Sequence, residues 1–94
     1  MYVIVVYDVW NKKTNKIHKY LKKRLHWIQN SVFEGELSKS EFIRMKKELL
    51  KLLKEFKKEN PDRQNSIIIF SMPFKGALEK EILGDIKWEI DYFI

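Results

Sequence analysis

Tyr2-Val3-Ile4-Val5-Val6-Tyr7-Asp8-Val9 decides the fold of this 94-residue chain. β-Branched residues at most positions, with no Gly or Pro, predict a strand. Apolar residues at successive positions predict that both faces of the pleat are covered, as in a central strand. The one carboxylate, Asp8, stands near the strand end. A carboxylate costs free energy in an apolar interior unless it is solvated, paired or bound to metal. Asp8 is therefore expected at the strand mouth, where the chain meets water, and is the first candidate for chemistry. Tyr7, on the opposite face, reads as packing.

Downstream, Trp10-Asn11-Lys12-Lys13-Thr14-Asn15 is a polar loop with Asn11 or Thr14 as helix N-cap candidates. Ile17, Tyr20, Leu21 and Leu25 then share one helical face, predicting a helix to about Leu25. His18 reads as a surface residue and His26 as a helix-end residue. Residues 27–36 read as extended chain, either one kinked strand or a hairpin turning at Asn30-Ser31. Ser38-Lys39-Ser40-Glu41 reads as a capping box. A long amphipathic helix follows, with Phe42, Met45, Leu49, Leu52, Leu53 and Phe56 as its buried stripe and Ile43 and Leu50 widening it. Asn60-Pro61-Asp62 stops it. Ser66-Ile67-Ile68-Ile69-Phe70-Ser71-Met72 reads as a second central strand, apolar on both faces. The segment between Gly76 and Gly84 is an edge strand or a turn of helix. Residues 85–94 alternate, with Ile86, Trp88, Ile90, Tyr92 and Ile94 on one face, and read as a half-buried strand. Such a strand must pair within its own sheet or a partner's. The order predicts an α+β domain over residues 1–94. It is a ferredoxin-like βαββαβ sandwich with an added C-terminal strand.

Composition narrows the partners. Seven cations and one acid fall in residues 1–30, which therefore hold the chain's whole net charge of +6. The rest carries twelve cationic and twelve acidic side chains. Lys12, Lys13, Lys16, Lys19 and Lys23 beside a lone acid suit a polyanion, bound through phosphates without reading sequence. A solvated helix face accounts for the same run equally well. The absence of cysteine excludes disulfides and thiolate zinc sites, and fits a reducing cytoplasm. The N-terminal apolar run is too short to span a bilayer and lacks a basic leader, so neither an anchor nor a signal peptide is expected.

Tyr7-Asp8-Val9, followed after one basic helix by Gln29-Asn30-Ser31-Val32-Phe33-Glu34-Gly35-Glu36-Leu37, resembles the CRISPR-associated protein two family. These are small metal-dependent endonuclease subunits of CRISPR spacer acquisition. The likeness runs from residue 1 to about 73, and more loosely through the tail. It implies a homodimer in which the Asp8 carboxylates of two protomers face each other and share a divalent ion, usually magnesium. It also implies hydrolysis of single-stranded RNA or double-stranded DNA, and assembly with the integrase subunit, CRISPR-associated protein one. Asn11 and Lys12 stand where many members carry further acids. Arg24-Leu25 stands for a Tyr-Gly, and Trp27 for an Arg.

On this reading Asp8 is catalytic and metal-ligating, because magnesium is held by one or two carboxylates plus phosphate oxygens and waters. A carboxylate capping the nearby helix or pairing with Lys12 is the plainer alternative. Ser31 is carried over as a neighbour of the site, orienting Asp8 or a water, or else it satisfies backbone at a kink. Phe33 reads as core or dimer interface, and Trp10 as a nucleic-acid contact or a buried edge. Two further functions stand beside the nuclease: a non-catalytic bridge of the integrase complex, and a toxin-type ribonuclease of similar fold.

Overall fold

The computed structural model of the chain describes residues 1–84. Four strands form one antiparallel sheet: β1 (Tyr2–Asp8), β2 (His26–Gln29), β3 (Val32–Glu36) and β4 (Ser66–Met72), in spatial order β2-β3-β1-β4. A 3₁₀ turn (Asn11–Lys13) leads into α1 (Thr14–Lys22), and α2 (Lys39–Glu59) connects β3 to β4. β1 and β2 are thus joined through a helix with β3 lying between them, as are β3 and β4 with β1 between them. This is the split βαβ arrangement of the ferredoxin-like fold. The C-terminal strand expected over residues 85–94 lies outside the described residues.

Strand alternation divides β1 sharply. Val3, Val5 and Tyr7 are no more than 3% exposed and join Ile17, Leu21, Leu25, Phe33, Met45, Leu49 and Phe56 in the core. Gly35 belongs to this layer, since a Cβ there would lie 3.1 Å from Leu25 Cδ2. Ile4, Val6 and Asp8 point the other way and stand opposite Phe70, Ile68 and Ser66 of β4. Ile68 and Phe70 are each 53% exposed. The expectation that β1 and β4 are covered on both faces is therefore met only on the helix side among the described residues. At its other end that second face is covered by the segment after β4. There the Tyr2 hydroxyl donates to Glu34 at 2.6 Å, and Lys80 pairs with the same buried carboxylate. β4 forms one edge of the described sheet rather than a central strand, because its apolar run serves an open face.

Local chemistry explains the remaining elements. Residues 26–36 form a hairpin turning at Asn30-Ser31, and Asn30 has a φ of 45°, a left-handed conformation that asparagine tolerates. The Ser38 capping box forms: its hydroxyl accepts from the Glu41 amide at 3.1 Å, and Glu41 accepts from the Ser38 amide at 2.8 Å. Neither Asn11 nor Thr14 caps α1. The 3₁₀ turn feeds straight into the helix, so its N-cap is Lys13, whose amide bonds to the Trp10 carbonyl. Leu25 is buried just beyond the end of α1, and His26 begins β2 instead of ending a helix. Ile43 and Leu50 do not widen the stripe of α2; both are exposed. Residues 75–77 form a 3₁₀ turn, with no strand in 76–84. No helix among the described residues is long and apolar enough to cross a membrane.

Phe33 sits between the sheet and both neighbouring rings, 6.3 Å from Tyr7 and 5.0 Å from His18. Phe33→Ala is expected to lower unfolding free energy by roughly 3–5 kcal/mol through transfer and cavity terms, read by urea denaturation.

Candidate nucleic-acid interface around Asp8

The antiparallel pairing of β1 with β4 brings the end of one strand beside the start of the other, so Asp8 stands opposite Ser66. α2 must end nearby to supply the short connection to β4. Asp8, Leu53, Lys54, Lys57 and the run from Arg63 to Ser66 consequently line one open cleft of about 500 Å³. Asp8 is exposed there, at the wet strand mouth. Among the described residues no three His, Cys, Asp or Glu side chains gather to form a metal cage. A single exposed carboxylate suits magnesium nonetheless, since that ion keeps several waters and uses one or two carboxylates with substrate oxygens.

The other residues singled out by the sequence divide into two groups. Lys13 Nζ lies 2.5 Å from Glu59 and Lys16 Nζ 3.8 Å from Glu55, so two α1-side cations face acids of α2. The Lys13 side chain is only 18% exposed and also lies 5.8 Å from the Trp10 ring centroid and 5.7 Å from that of Phe56. Lys12 lies 5.8 Å from the Trp10 centroid. Lys19 and Lys23 are exposed, further along the helix and away from Asp8. Ser31 meets Tyr7 rather than Asp8. Its carbonyl accepts the Tyr7 amide at 3.1 Å. Burial pushes the Tyr7 phenol above its usual pKa, and the Ser31 side chain offsets part of that rise. His18 is packed, not superficial: Nδ1 lies 3.4 Å from the Tyr7 hydroxyl, and its ring meets Trp27 edge-on at 5.4 Å.

Sequence reasoning missed Lys54, Lys57, Arg63 and Asn65. The signal was present in the antiparallel order, which returns the chain after α2 to the end of β1. Asn65 Oδ1 accepts the Trp10 amide at 2.9 Å, tying the second residue beyond β1 to the cleft wall. Asn65→Ala is expected to cost about 1–3 kcal/mol by leaving that amide without its acceptor, measured as a lower urea midpoint with an unchanged circular dichroism spectrum.

The chain is similar in sequence and shape to known proteins. The family model for CRISPR associated protein Cas2 matches residues 1–79. The CRISPR-associated endoribonuclease Cas2 of Methanocaldococcus jannaschii is 45% identical over 94 residues, covering 100% of this chain and 76% of that protein. That of Methanosarcina acetivorans is 49% identical over 87 residues, covering 93% and 92%. That of Pyrococcus furiosus is 39% identical over 94 residues and covers both chains fully. A crystal structure of Cas2 matches with a TM-score of 0.73 at 42% identity, covering 93% of this chain and 90% of that one. With the split βαβ sheet, the exposed Asp8 and these likenesses together, the chain belongs to the CRISPR associated protein Cas2 family.

Proposed function

We propose that this chain is a divalent-metal-dependent endonuclease of CRISPR spacer acquisition, acting on the phosphodiester backbone of RNA or DNA as a homodimer. The observation that carries the reading is the placement of Asp8: exposed, at a cleft mouth, on the same sheet face as Ile4, Val6, Ile68 and Phe70. Apolar side chains open to water on one contiguous face favour association. A second copy seated on that face across a twofold axis presents the same patch in return. Asp8 of each protomer then approaches its symmetry mate, and two like charges at close range favour a cation between them.

Asp8 supplies the hard oxygen that would hold magnesium, and the bound ion would polarise a phosphoryl oxygen and lower the pKa of its water. The chain's own task is positioning. β1 presents the carboxylate at the rim, and Asn65 fixes the adjoining loop through the Trp10 amide. The names of the relatives, endoribonucleases, support RNA as a substrate. A bridging role beside the integrase subunit, CRISPR-associated protein one, is compatible with the same open face. The single acid at the cleft favours that role as the second reading.

Asp8→Asn is expected to abolish magnesium-dependent cleavage of single-stranded RNA and duplex DNA while the thermal midpoint stays near that of the parent. Cleavage at the parental rate would refute the assignment. Ile68→Glu places a charge on the open face, and light scattering should then report a monomer in place of a dimer.

A further inference from the structure

Part of the charge that the sequence assigns to the α1 region is paired within the fold, at three of its seven cations. Lys13 and Lys16 face Glu59 and Glu55, and Arg24 lies 3.8 Å from Glu48. α1 also runs away from Asp8, so its later lysines recede by about 1.5 Å per residue. The end of α2 returns instead to the Asp8 rim. Lys54 and Lys57 lie three residues apart and therefore on neighbouring positions of one helix face. Both line the Asp8 cleft, as does Arg63. All three are exposed, and none takes part in the ion pairs found among the described residues. Three cations thus line the cleft whose rim carries Asp8.

Their arrangement is braced. Lys57 Nζ donates to the Arg63 carbonyl at 3.4 Å, and the Arg63 guanidinium lies 5.8 Å from the Trp10 ring centroid. A cation near the end of α2 also complements the helix dipole. That effect accounts for Lys57, but not for Lys54 and Arg63 lining the same cleft. Trp10 Nε1 and Asn65 Nδ2 are buried N–H donors with no acceptor among the described residues. Asn65 is itself part of the cleft wall. Three cations that make no ion pair among the described residues, on one open cleft, favour an anion with several acceptor oxygens.

We infer that Lys54, Lys57 and Arg63, with Asn65, form the phosphate-binding wall that holds a polynucleotide backbone against Asp8. The inference rests on the reading of Asp8 as the reacting end of the cleft. It moves the substrate track from the basic α1 helix to the end of α2. The wall meets phosphates, so RNA and DNA share it.

Fluorescence anisotropy on the Asp8→Asn protein separates binding from turnover, with labelled single-stranded RNA in one arm and duplex DNA in the other. The Lys54→Gln, Lys57→Gln, Arg63→Gln triple variant should flatten the plot of log affinity against log salt by roughly 2 for the single strand, about 0.7 for each phosphate no longer neutralised. The duplex arm should flatten by about 0.9 for each such phosphate. Lys19→Gln with Lys23→Gln should change either slope less. The charge-retaining Lys54→Arg, Lys57→Arg, Arg63→Lys variant should bind like the parent. If the triple variant is poorly folded by circular dichroism, Lys54→Gln alone should still lower the single-strand slope by about 0.7. Unchanged slopes in the Gln variants, or an equal weakening in the charge-retaining variant, overturn the wall. Full cleavage by Asp8→Asn alongside weakened binding by the Gln variants would refute the role given to Asp8 and leave the wall standing.

Discussion

The pleat of β1 constrains the rest of the molecule. Val3, Val5 and Tyr7 are committed to the helix layer, where Phe33, Met45, Leu49 and Phe56 enclose them. A period of two then leaves Ile4, Val6 and Asp8 no choice but the opposite face. A one-residue slip of register would bury Asp8 among the core side chains and expose Tyr7, so the hydrophobic effect that builds the core also holds the carboxylate at the rim. The pairing of β1 with both β3 and β4 locks this parity from two sides.

That parity has a second consequence. The face that carries Asp8 also carries Ile4, Val6, Ile68 and Phe70, and the described chain closes it only at the Tyr2 end. There Glu34 is 2% exposed, with Tyr2 and Lys80 as hydrogen-bonding partners. Charge and apolar surface are thus segregated along one sheet face. The covered end holds a buried carboxylate satisfied by a phenol and an ammonium. The open end holds an exposed carboxylate, at the rim of a cleft whose cations Lys54, Lys57 and Arg63 make no ion pair among the described residues. The first arrangement serves stability, because an unpartnered buried charge would be costly. The second leaves electrostatic capacity free for a ligand.

Much of the fold was legible because its signals are local. The apolar run of β1, the Ser38–Glu41 capping box and the stripe from Phe42 to Phe56 each specify an element through spacing alone. Asp8 was legible as a polar residue at the end of an apolar strand. What failed depended on contacts between elements. Apolar residues on both faces of β4 imply two covers, but sequence does not say whether a second cover comes from the same chain or another. The pairing of Lys13 and Lys16 with Glu59 and Glu55 was likewise not legible, because those acids lie some forty residues away in sequence. His18 looked superficial because nothing local predicts the hairpin ring, Trp27, that packs on it. The cleft itself requires the antiparallel return of β4 to the end of β1, a fact of topology that no single motif carries.

On the proposed reading, the open sheet face closes on a second copy and brings two Asp8 carboxylates to one cation. Anomalous diffraction from crystals soaked in manganese, a magnesium surrogate, tests it most directly. The account predicts one manganese peak on a twofold axis, between the Asp8 carboxylates of paired protomers whose Ile68 and Phe70 side chains are buried against each other. A dimer that places the two Asp8 residues far apart, or manganese bound elsewhere with Asp8 bare, would contradict it.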